Sequence, residues 1–532
     1  MTDGVLRIIA SLLCACLFSV STMKTVGAMQ QSGYKNRAFW KWLKRGDNLF
    51  FNRLCILSLC LLLTTAVTSL CFSFMGHRGA LLFSSLPFFA LILVFAFVDG
   101  RYALKVPTKR TGRLCRLFAV YFFFIAIAAY FLISVLAMLI QIISSDLYGF
   151  LGYVPFALLP PLLPVLLSLA NLIEGAFEDA RNQKFVQRAG RVLDEKQILR
   201  IGIVGSYGKT SVKHILKSIL LEKYDVVETP ESYNTPIGIA KTVYSEGFAN
   251  KQVLIAEMGA RKSGDISELC QMVKPEYAIF TGVCEQHIET FGSLDGVWRE
   301  KSEIFKSGAK KVFCGESLRS FMKEEYKTEI SYAENVVVED VALEATKTKF
   351  TLCIDGEEIV VETALLGNAA IENVRLAVAL ALELGLTVKE IGAGLQKAQP
   401  IPHRLQLLEN NGVYILDDAY NCNPRGAEEA IKALSRFTGR KCIVTPGIVE
   451  CGVLEDGVNQ RLGAQIAEAN LDKVVLVGDT LVGVVKTGYS NASGDMQKLC
   501  IAEDLEAAQA ILSDWVQAGD AVLFLNDLPD VY

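Results

Sequence analysis

Ile201–Ser211 reads IGIVGSYGKTS, and its residue types suit the holding of phosphate. Ile201 to Val204 is a short apolar run with the character of a buried parallel strand. Gly205-Ser206-Tyr207-Gly208 then turns the chain, and Lys209-Thr210-Ser211 opens a helix. Its apolar positions, Val212, Ile215, Leu216, Ile219 and Leu220, follow the helical i, i+3, i+4, i+7, i+8 pattern. A glycine turn feeding a helix N-terminus aims backbone N–H groups at an anion. Lys209 is expected to neutralise phosphate charge, and the Thr210 hydroxyl to face Mg²⁺. Ile203 stands where the longer G-x-x-x-x-G-K-[ST] pattern has its first glycine. A lone G-K-T can arise by chance; one set between a strand and a helix points to a nucleotide.

Four further residues or pairs lie where parallel strands or helices present side chains to a site. Glu257 ends the run of AEMGAR, near the carboxyl end of a strand, where ligands bind in open α/β sheets. An acid there suits Mg²⁺ beside phosphates, and equally a carboxylate capping the next turn. His287, in GVCEQHIETFGS, follows another strand end; a single histidine is more often structural than a ligand. Lys301, in GVWREKSEIF, falls on a helical pattern and reads by itself as a solvated charge. Asp417-Asp418 in YILDDAYNCNP ends a buried strand, where paired carboxylates need a cation or donors.

The elements that must position these residues alternate in kind. After Leu199, strand-like Val226–Thr229, Val253–Glu257 and Tyr277–Thr281 are separated by helical or loop sequence, which predicts a parallel sheet in an α/β domain. Between Val336 and Leu366 short alternating runs predict an inserted antiparallel hairpin. An Ala/Leu-rich helix follows from Ile371 to Leu384. A second α/β unit is expected after the prolines of Gln399–Pro402, with strands at Val413–Asp418, Cys442–Thr445, Val474–Val477 and Ala521–Leu525.

The front of the chain is different in kind. Apolar residues make up 52% of the chain and the mean hydropathy is +0.34, which points to membrane spans. Residues 1–172 carry 15 Lys/Arg against 4 Asp/Glu, and the remainder 38 against 53. Neither part has the basic stripe of a nucleic-acid binder. The 14 cysteines include no C-x-x-C pair, which argues for reduced thiols and against a disulfide framework or structural zinc. Five apolar stretches are expected to span: Val5–Met23, Leu54–Met75, Ala80–Val98, Leu117–Ile143 and Gly149–Leu172. Basic residues crowd the first and third loops, placing those loops, and everything after Leu172, in the cytoplasm. Pro155, Pro160, Pro161 and Pro164 predict an irregular last span, and Glu174–Lys196 a charged helical linker.

Together these segments resemble the Mur ligases, and within them the branch that adds D-Ala-D-Ala to the muramoyl tripeptide. The resemblance runs from about residue 198 to 480 through GSYGKTSVK, Tyr233-Asn-Thr-Pro-Ile-Gly238, AEMGAR, HIETFGSLDGVWREKSEIF, PHRLQ and DDAYNCNP. It implies a cytosolic ATP-dependent amide ligase with a P-loop central ATPase domain and a Rossmann-like C-terminal domain that closes over it. The organisation expected is membrane region 1–172, linker 173–197, ATPase domain 198–400 and C-terminal domain 401–532. By the resemblance, Gly205 to Ser211 cradle the phosphates of ATP, and Thr210 and Glu257 hold one Mg²⁺. His287 and Lys301, the latter carbamylated, hold a second. Asn234 lies near the reacting phosphate, and Asn373, Arg404 and Asp418 on the nucleotide side. The partners implied are a cell-wall precursor, UDP-linked or lipid-linked, an amino acid or dipeptide, and membrane lipid. A poly-γ-glutamate-type ligase and a nucleotide-binding membrane sensor or transporter are the competing readings.

The departures are specific. Ala369-Ala370 stand where the adenine motif has His-Asn, and Ser232 replaces the first Asn of an N-x-N pair. Thr445–Gly452 keeps part of its motif, with Glu450 in place. The spans stand where the family carries its UDP-holding domain.

Overall fold

The computed structural model describes residues 2–44, 50–72, 87, 89–98, 108–142, 157–231, 233–323, 325–420 and 422–526. They form two compact units, Met1–Gln183 and Lys184–Tyr532.

In the first unit, Gly112–Ile142 is one helix, and the helix Leu163–Glu195 begins there. Among the described residues they supply the two single helices long and apolar enough to cross a membrane, Gly112–Val135 and Pro160–Glu195, and a bent pair makes a third if it is one span. The expected first span is instead a pair, Arg7–Ser21 and Met23–Gln31, bent by 54°. Thr22 marks the break, and its hydroxyl bonds the Phe18 carbonyl at 2.7 Å and approaches the Tyr121 hydroxyl at 3.0 Å. The second expected span begins in the helix Phe50–Phe72, of which Arg53–Thr68 is a shorter apolar stretch, and its last residues lie outside the described residues. Of the third, only Phe89–Val98 is described as a helix, and the start of the fifth lies outside the described residues. Pro160 and Pro161 sit in a 3-10 turn and Pro164 in the first turn of the long helix, where a missing N–H costs nothing. The helix then runs unbroken through the expected linker.

The second unit holds the parallel sheet expected from the alternation, with six strands in the order β2-β3-β1-β4-β5-β6. These are β1 Leu199–Val204, β2 Val226–Glu228, β3 Val253–Glu257, β4 Tyr277–Phe280, β5 Lys311–Cys314 and β6 Glu329–Ser331. Both faces are covered. Ile201, Ile203, Ile255 and Ile279 pack toward the helices Lys209–Leu220 and Asn368–Glu383, while Val204, Leu254, Ala256 and Phe280 pack on the opposite side. That two-sided burial is why these strands read as continuous apolar runs. The chain steps one way from β1 to β2 and the other way from β3 to β4, so the connections reverse beside β1. The ends of β1, β3 and β4 therefore frame one crevice.

The hairpin expected between Val336 and Leu366 is a three-stranded sheet, β7 Val336–Leu343, β8 Thr348–Ile354 and β9 Glu357–Thr363. Asp355 and Gly356, both at positive φ, make its tight β8–β9 turn. The last sheet has the order β10-β11-β15-β12-β13-β14, with β10 Gln406–Asn410 antiparallel at its edge. Strands β11 Val413–Asp418, β12 Lys441–Thr445, β13 Lys473–Val477, β14 Leu499–Ala502 and β15 Ala521–Leu525 run parallel.

Candidate active site

The loop after β1 is built by two glycines that no other residue replaces cheaply. Gly208, at φ +74°, precedes the helix Lys209–Leu220, and a Cβ there would lie 2.7 Å from Asn373 Oδ1. A Cβ on Gly205 would lie 1.9 Å from Thr281 Oγ1. Val212, Ile215, Leu216, Ile219 and Leu220 bury that helix's apolar face, each side chain contributing about 1.5–3 kcal/mol. The backbone start of the helix is thereby fixed at the carboxyl edge of the sheet. Ser206 Oγ is buried without a hydrogen-bond partner, and Lys209 Nζ turns back to the Gly205 carbonyl at 2.8 Å. Burial lowers the Lys209 ammonium below its ordinary range, reinforced by Arg404 and Lys213 and opposed by Glu257. An orphaned hydroxyl and a poorly solvated ammonium in a glycine cradle fit a phosphate.

Glu257, 2% exposed, gathers three side chains. Thr210 Oγ1 donates to its Oε2 at 2.9 Å, Lys213 Nζ to the same oxygen at 3.2 Å, and Asn234 Nδ2 to Oε1 at 3.4 Å. Burial raises this carboxyl, but Lys209, Lys213 and the hydrogen bonds from Thr210 and Lys213 outweigh it, and it stays below the usual range. A hydroxyl beside an ionised carboxylate at a phosphate loop fits Mg²⁺, which takes few protein ligands and completes its shell with phosphate and water. Asn234 is held by the helix Pro236–Val243, whose Thr235 cap accepts the Gly238 N–H at 3.2 Å. Ser232 lies outside the described residues.

Lys213 carries no expectation from the sequence. It is fully buried, and its ammonium bonds the Thr229 carbonyl at 2.8 Å, the Glu231 carbonyl at 2.7 Å and Glu257. The signal was its position one turn beyond Lys209 on a helix otherwise buried on that side.

Lys301 overturns its reading as a solvated charge. The helix Leu294–Lys301, capped by Ser293, carries it inward to 2% exposure. It makes no ion pair among the described residues. Burial, and after it the charge of Lys209, brings its pKa down to about 7. Cys284, whose thiol burial pushes up to about 12, neighbours both lysines. His287, at φ 60°, heads the short helix Ile288–Phe291, and its Nδ1 lies 2.9 Å from Glu450 Oε2 without the direction of a hydrogen bond. Among the described residues no three His, Cys, Asp or Glu side chains cluster as a metal site.

The nucleotide-side candidates meet around a cavity of about 400 Å³ lined by Tyr207, Gly208, Ser211, Asn373, Arg404 and Asp418. Ala369 and Ala370 also line it, together with Arg425 and Glu429, which the motifs did not single out. Arg404 stacks over the Tyr420 ring at 4.6 Å and donates to its carbonyl at 2.9 Å. Asp418, half-buried but closely surrounded by protein, accepts the Leu405 N–H at 3.0 Å. Burial lifts its pKa to about 6 against the pull of Arg404. The paired carboxylate beside it, Asp417, takes His403 Nδ1 at 2.7 Å.

Comparison with known proteins identifies the family and the fold. Residues 203–381 match the profile of the Mur ligase middle domain, and residues 403–526 that of the Mur ligase glutamate ligase domain. The chain is 29% identical over 347 residues to the UDP-N-acetylmuramoyl-tripeptide–D-alanyl-D-alanine ligase of Bacillus subtilis, covering 64% of this chain and 75% of that one. It is 30% identical over 315 residues to the like-named protein of Borreliella burgdorferi, covering 57% and 67%. Among solved structures it is similar to MurF ligase from Thermotoga maritima in complex with ADP, with a TM-score of 0.59 and 25% identity over 65% of this chain and 80% of that one. MurF from Acinetobacter baumannii gives a TM-score of 0.58 at 25% identity, over 65% and 77%. The chain belongs to the Mur ligase family, whose middle and C-terminal domains it carries, and it is an ATP-dependent ligase.

Proposed function

We propose that this chain joins an amino acid or dipeptide, such as D-Ala-D-Ala, to the carboxylate of a cell-wall precursor, at the cytoplasmic face of the membrane that holds its first unit. The observation that carries the reading is the gathering of Lys209, Thr210, Asn234 and Glu257 at one strand edge, with the cavity of Asn373, Arg404 and Asp418 alongside. A carboxylate oxygen of the acceptor attacks the γ-phosphorus of ATP; the bond to the bridging oxygen breaks and ADP leaves. The incoming amine attacks the carbonyl of the resulting acyl phosphate, the C–O bond to phosphate breaks, and an amide and inorganic phosphate form. Alignment and charge stabilisation supply most of the acceleration in such a transfer.

Each residue has a part in that chemistry. The loop Gly205–Ser211 binds and orients the phosphates, with Lys209 offering its charge to the γ-oxygens. Asn234 positions the transferring group. Asn373, Arg404 and Asp418 hold the nucleoside end. Thr210 and Glu257 would hold one Mg²⁺, and His287 with carbamylated Lys301 a second; when bound, these ions would supply neutralisation of charge on the phosphoryl oxygens. Lys301 suits carbamylation because a pKa of about 7 leaves much of its amine unprotonated at neutral pH. The amine attacks CO₂, a proton leaves, and a cation becomes an anion.

Membrane insertion is supported by the first unit's surface. Phe123, Ile127 and Phe131 are 61%, 63% and 65% exposed on the Gly112–Ile142 helix, and Leu172 and Ile173 are likewise open on the other long helix. The lysine and arginine bias of the first loops supports a catalytic unit on the inner side of that membrane. The acceptor is a muramoyl peptide, the substrate named for the relatives, carried on UDP or on a lipid. Trapping tests the reading: with ATP, Mg²⁺ and a muramoyl tripeptide but no amine, added hydroxylamine yields a hydroxamate if the acyl phosphate forms. Absence of hydroxamate with both UDP-linked and lipid-linked tripeptide would contradict it.

A further inference from the structure

Two stretches of the first unit that are far apart in sequence are joined by a reciprocal amide clasp. Gln30 Nε2 donates to the Lys109 carbonyl at 2.8 Å, and the Lys109 N–H donates to Gln30 Oε1 at 2.9 Å. The Arg113 guanidinium lies 4.0 Å over the Tyr34 ring, tying the same two regions. The helix Asn36–Leu43 is fixed beside them: Asn36 Nδ2 donates to the Ser168 carbonyl at 3.1 Å, and Asn171 Nδ2 donates to Asn36 Oδ1 at 2.9 Å and to the Tyr34 carbonyl at 2.9 Å. Phe39 and Leu43 are buried in the unit's core, and Trp40 and Trp42 pack half-buried against it.

What this helix and its flanks leave to solvent is charge of one sign. Between residues 35 and 44 the exposed positions are Lys35, Arg37, Lys41 and Lys44, and the clasp adds exposed Lys109 and Arg110. None of the six has a carboxylate within ion-pair distance among the described residues. The contrast lies nearby: Arg113 and Arg116 are consumed by buried Glu174, at 3.0 Å each. A cluster of like charges carries a self-repulsion that an anionic partner relieves. Tryptophans next to lysine and arginine are the composition of a membrane–water interface.

We propose that Lys35, Arg37, Lys41, Lys44, Lys109 and Arg110 form a collar that binds the headgroups of anionic phospholipids. The proposal rests on the insertion of the first unit in a bilayer. Bilayer-facing cations each contribute roughly fivefold to attraction by an anionic leaflet.

The test uses the full chain reconstituted in bilayers that mix ordinary phosphatidylcholine with brominated phosphatidylglycerol or brominated phosphatidylcholine. Bromine quenches tryptophan at short range, and the chain has 4 tryptophans, of which Trp40 and Trp42 lie in this helix. Brominated phosphatidylglycerol is expected to quench several-fold more effectively than brominated phosphatidylcholine. K35Q/R37Q/K41Q should bring the two lipids close to parity. The charge-preserving K35R/R37K/K41R and the equally charge-reducing K323Q/K389Q/K486Q should keep the preference. Equal quenching in the unaltered chain, or a preference retained in the glutamine triple variant, would overturn the collar alone. Quenching by neither lipid would overturn membrane insertion as well.

Discussion

Thr210 Oγ1 donates a 2.9 Å hydrogen bond to Glu257 Oε2, joining the first turn after the phosphate loop to the end of the neighbouring strand β3. Ile203 and Glu257 are partners in the β1–β3 register, so the sheet itself sets the distance between loop and carboxylate. Lys213 donates to the same carboxylate oxygen, as well as to the Thr229 and Glu231 carbonyls. Lys213→Met removes a buried cation and leaves Glu257 short of charge. A loss of about 3 kcal/mol in unfolding free energy is expected, measurable by urea denaturation of the full chain, with Mg²⁺–ATP restoring more stability to the variant than to the parent. Unchanged stability would show that Thr210 and Asn234 suffice for Glu257.

Lys301→Ala should abolish ligation, with partial rescue by short carboxylates that stand in for the carbamate. Undiminished turnover in the variant would sink the carbamate assignment. The pH dependence has a definite sign. A folded-state pKa near 7 against an ordinary value of 10.5 means the unfolded chain binds more protons between those pH values. This residue's destabilising contribution is therefore full below about pH 7 and fades as pH rises toward 10.5. Lys301→Met is expected to melt at a higher temperature than the parent at pH 7 in the absence of bicarbonate, and the gap should shrink at pH 9.

The Asp418 carboxyl, near pH 6 by burial, is held that low in part by Arg404. Removing the guanidinium leaves burial less opposed and the carboxyl pKa higher. Arg404→Met should weaken ATP binding, at least tenfold if the side chain meets the nucleotide, and move the acid limb of the binding profile to higher pH. Isothermal titration between pH 5 and 8 reads both effects. A limb that stays in place would remove Asp418 from the nucleotide site.

Gly208→Ala imposes a left-handed conformation on a residue with a Cβ and pushes on Asn373 Oδ1. The backbone cost is on the order of 1–2 kcal/mol, and the displaced Asn373 should raise KM for ATP. Normal KM with lowered stability would limit the glycine's role to the turn.

Much of this region is legible in the sequence because parallel strands announce themselves as apolar runs and their ends are where side chains meet ligands. β3, β11 and β15 span the same residues that the runs predicted. Strands β10 and β14 were missed for the opposite reason. They lie at the edges of their sheet, and QLLEN and LCIA are too polar or too short to stand out. Lys213 and Lys301 show the limit of pattern reading in the site itself. A lysine in an amphipathic helix looks like a surface charge until packing turns it inward, and the acceptors of Lys213 come from a strand end and a loop 16 and 18 residues away. The apolar helices of the first unit were legible as composition, but the 54° break at Thr22 depends on side-chain hydroxyls competing for the helix carbonyls.

The most direct test of the ligase account is product formation by the purified full chain in detergent or bilayers. ATP, Mg²⁺, D-Ala-D-Ala and UDP-linked or lipid-linked muramoyl tripeptide are supplied together and then one at a time withheld. ADP release is followed alongside mass spectrometry of the peptide. The account predicts one ADP per new amide bond, with both signals lost when either the tripeptide or the dipeptide is absent and both abolished in Lys209→Met. ADP release that proceeds undiminished without the tripeptide and the dipeptide, with no amide product on either carrier, would contradict it.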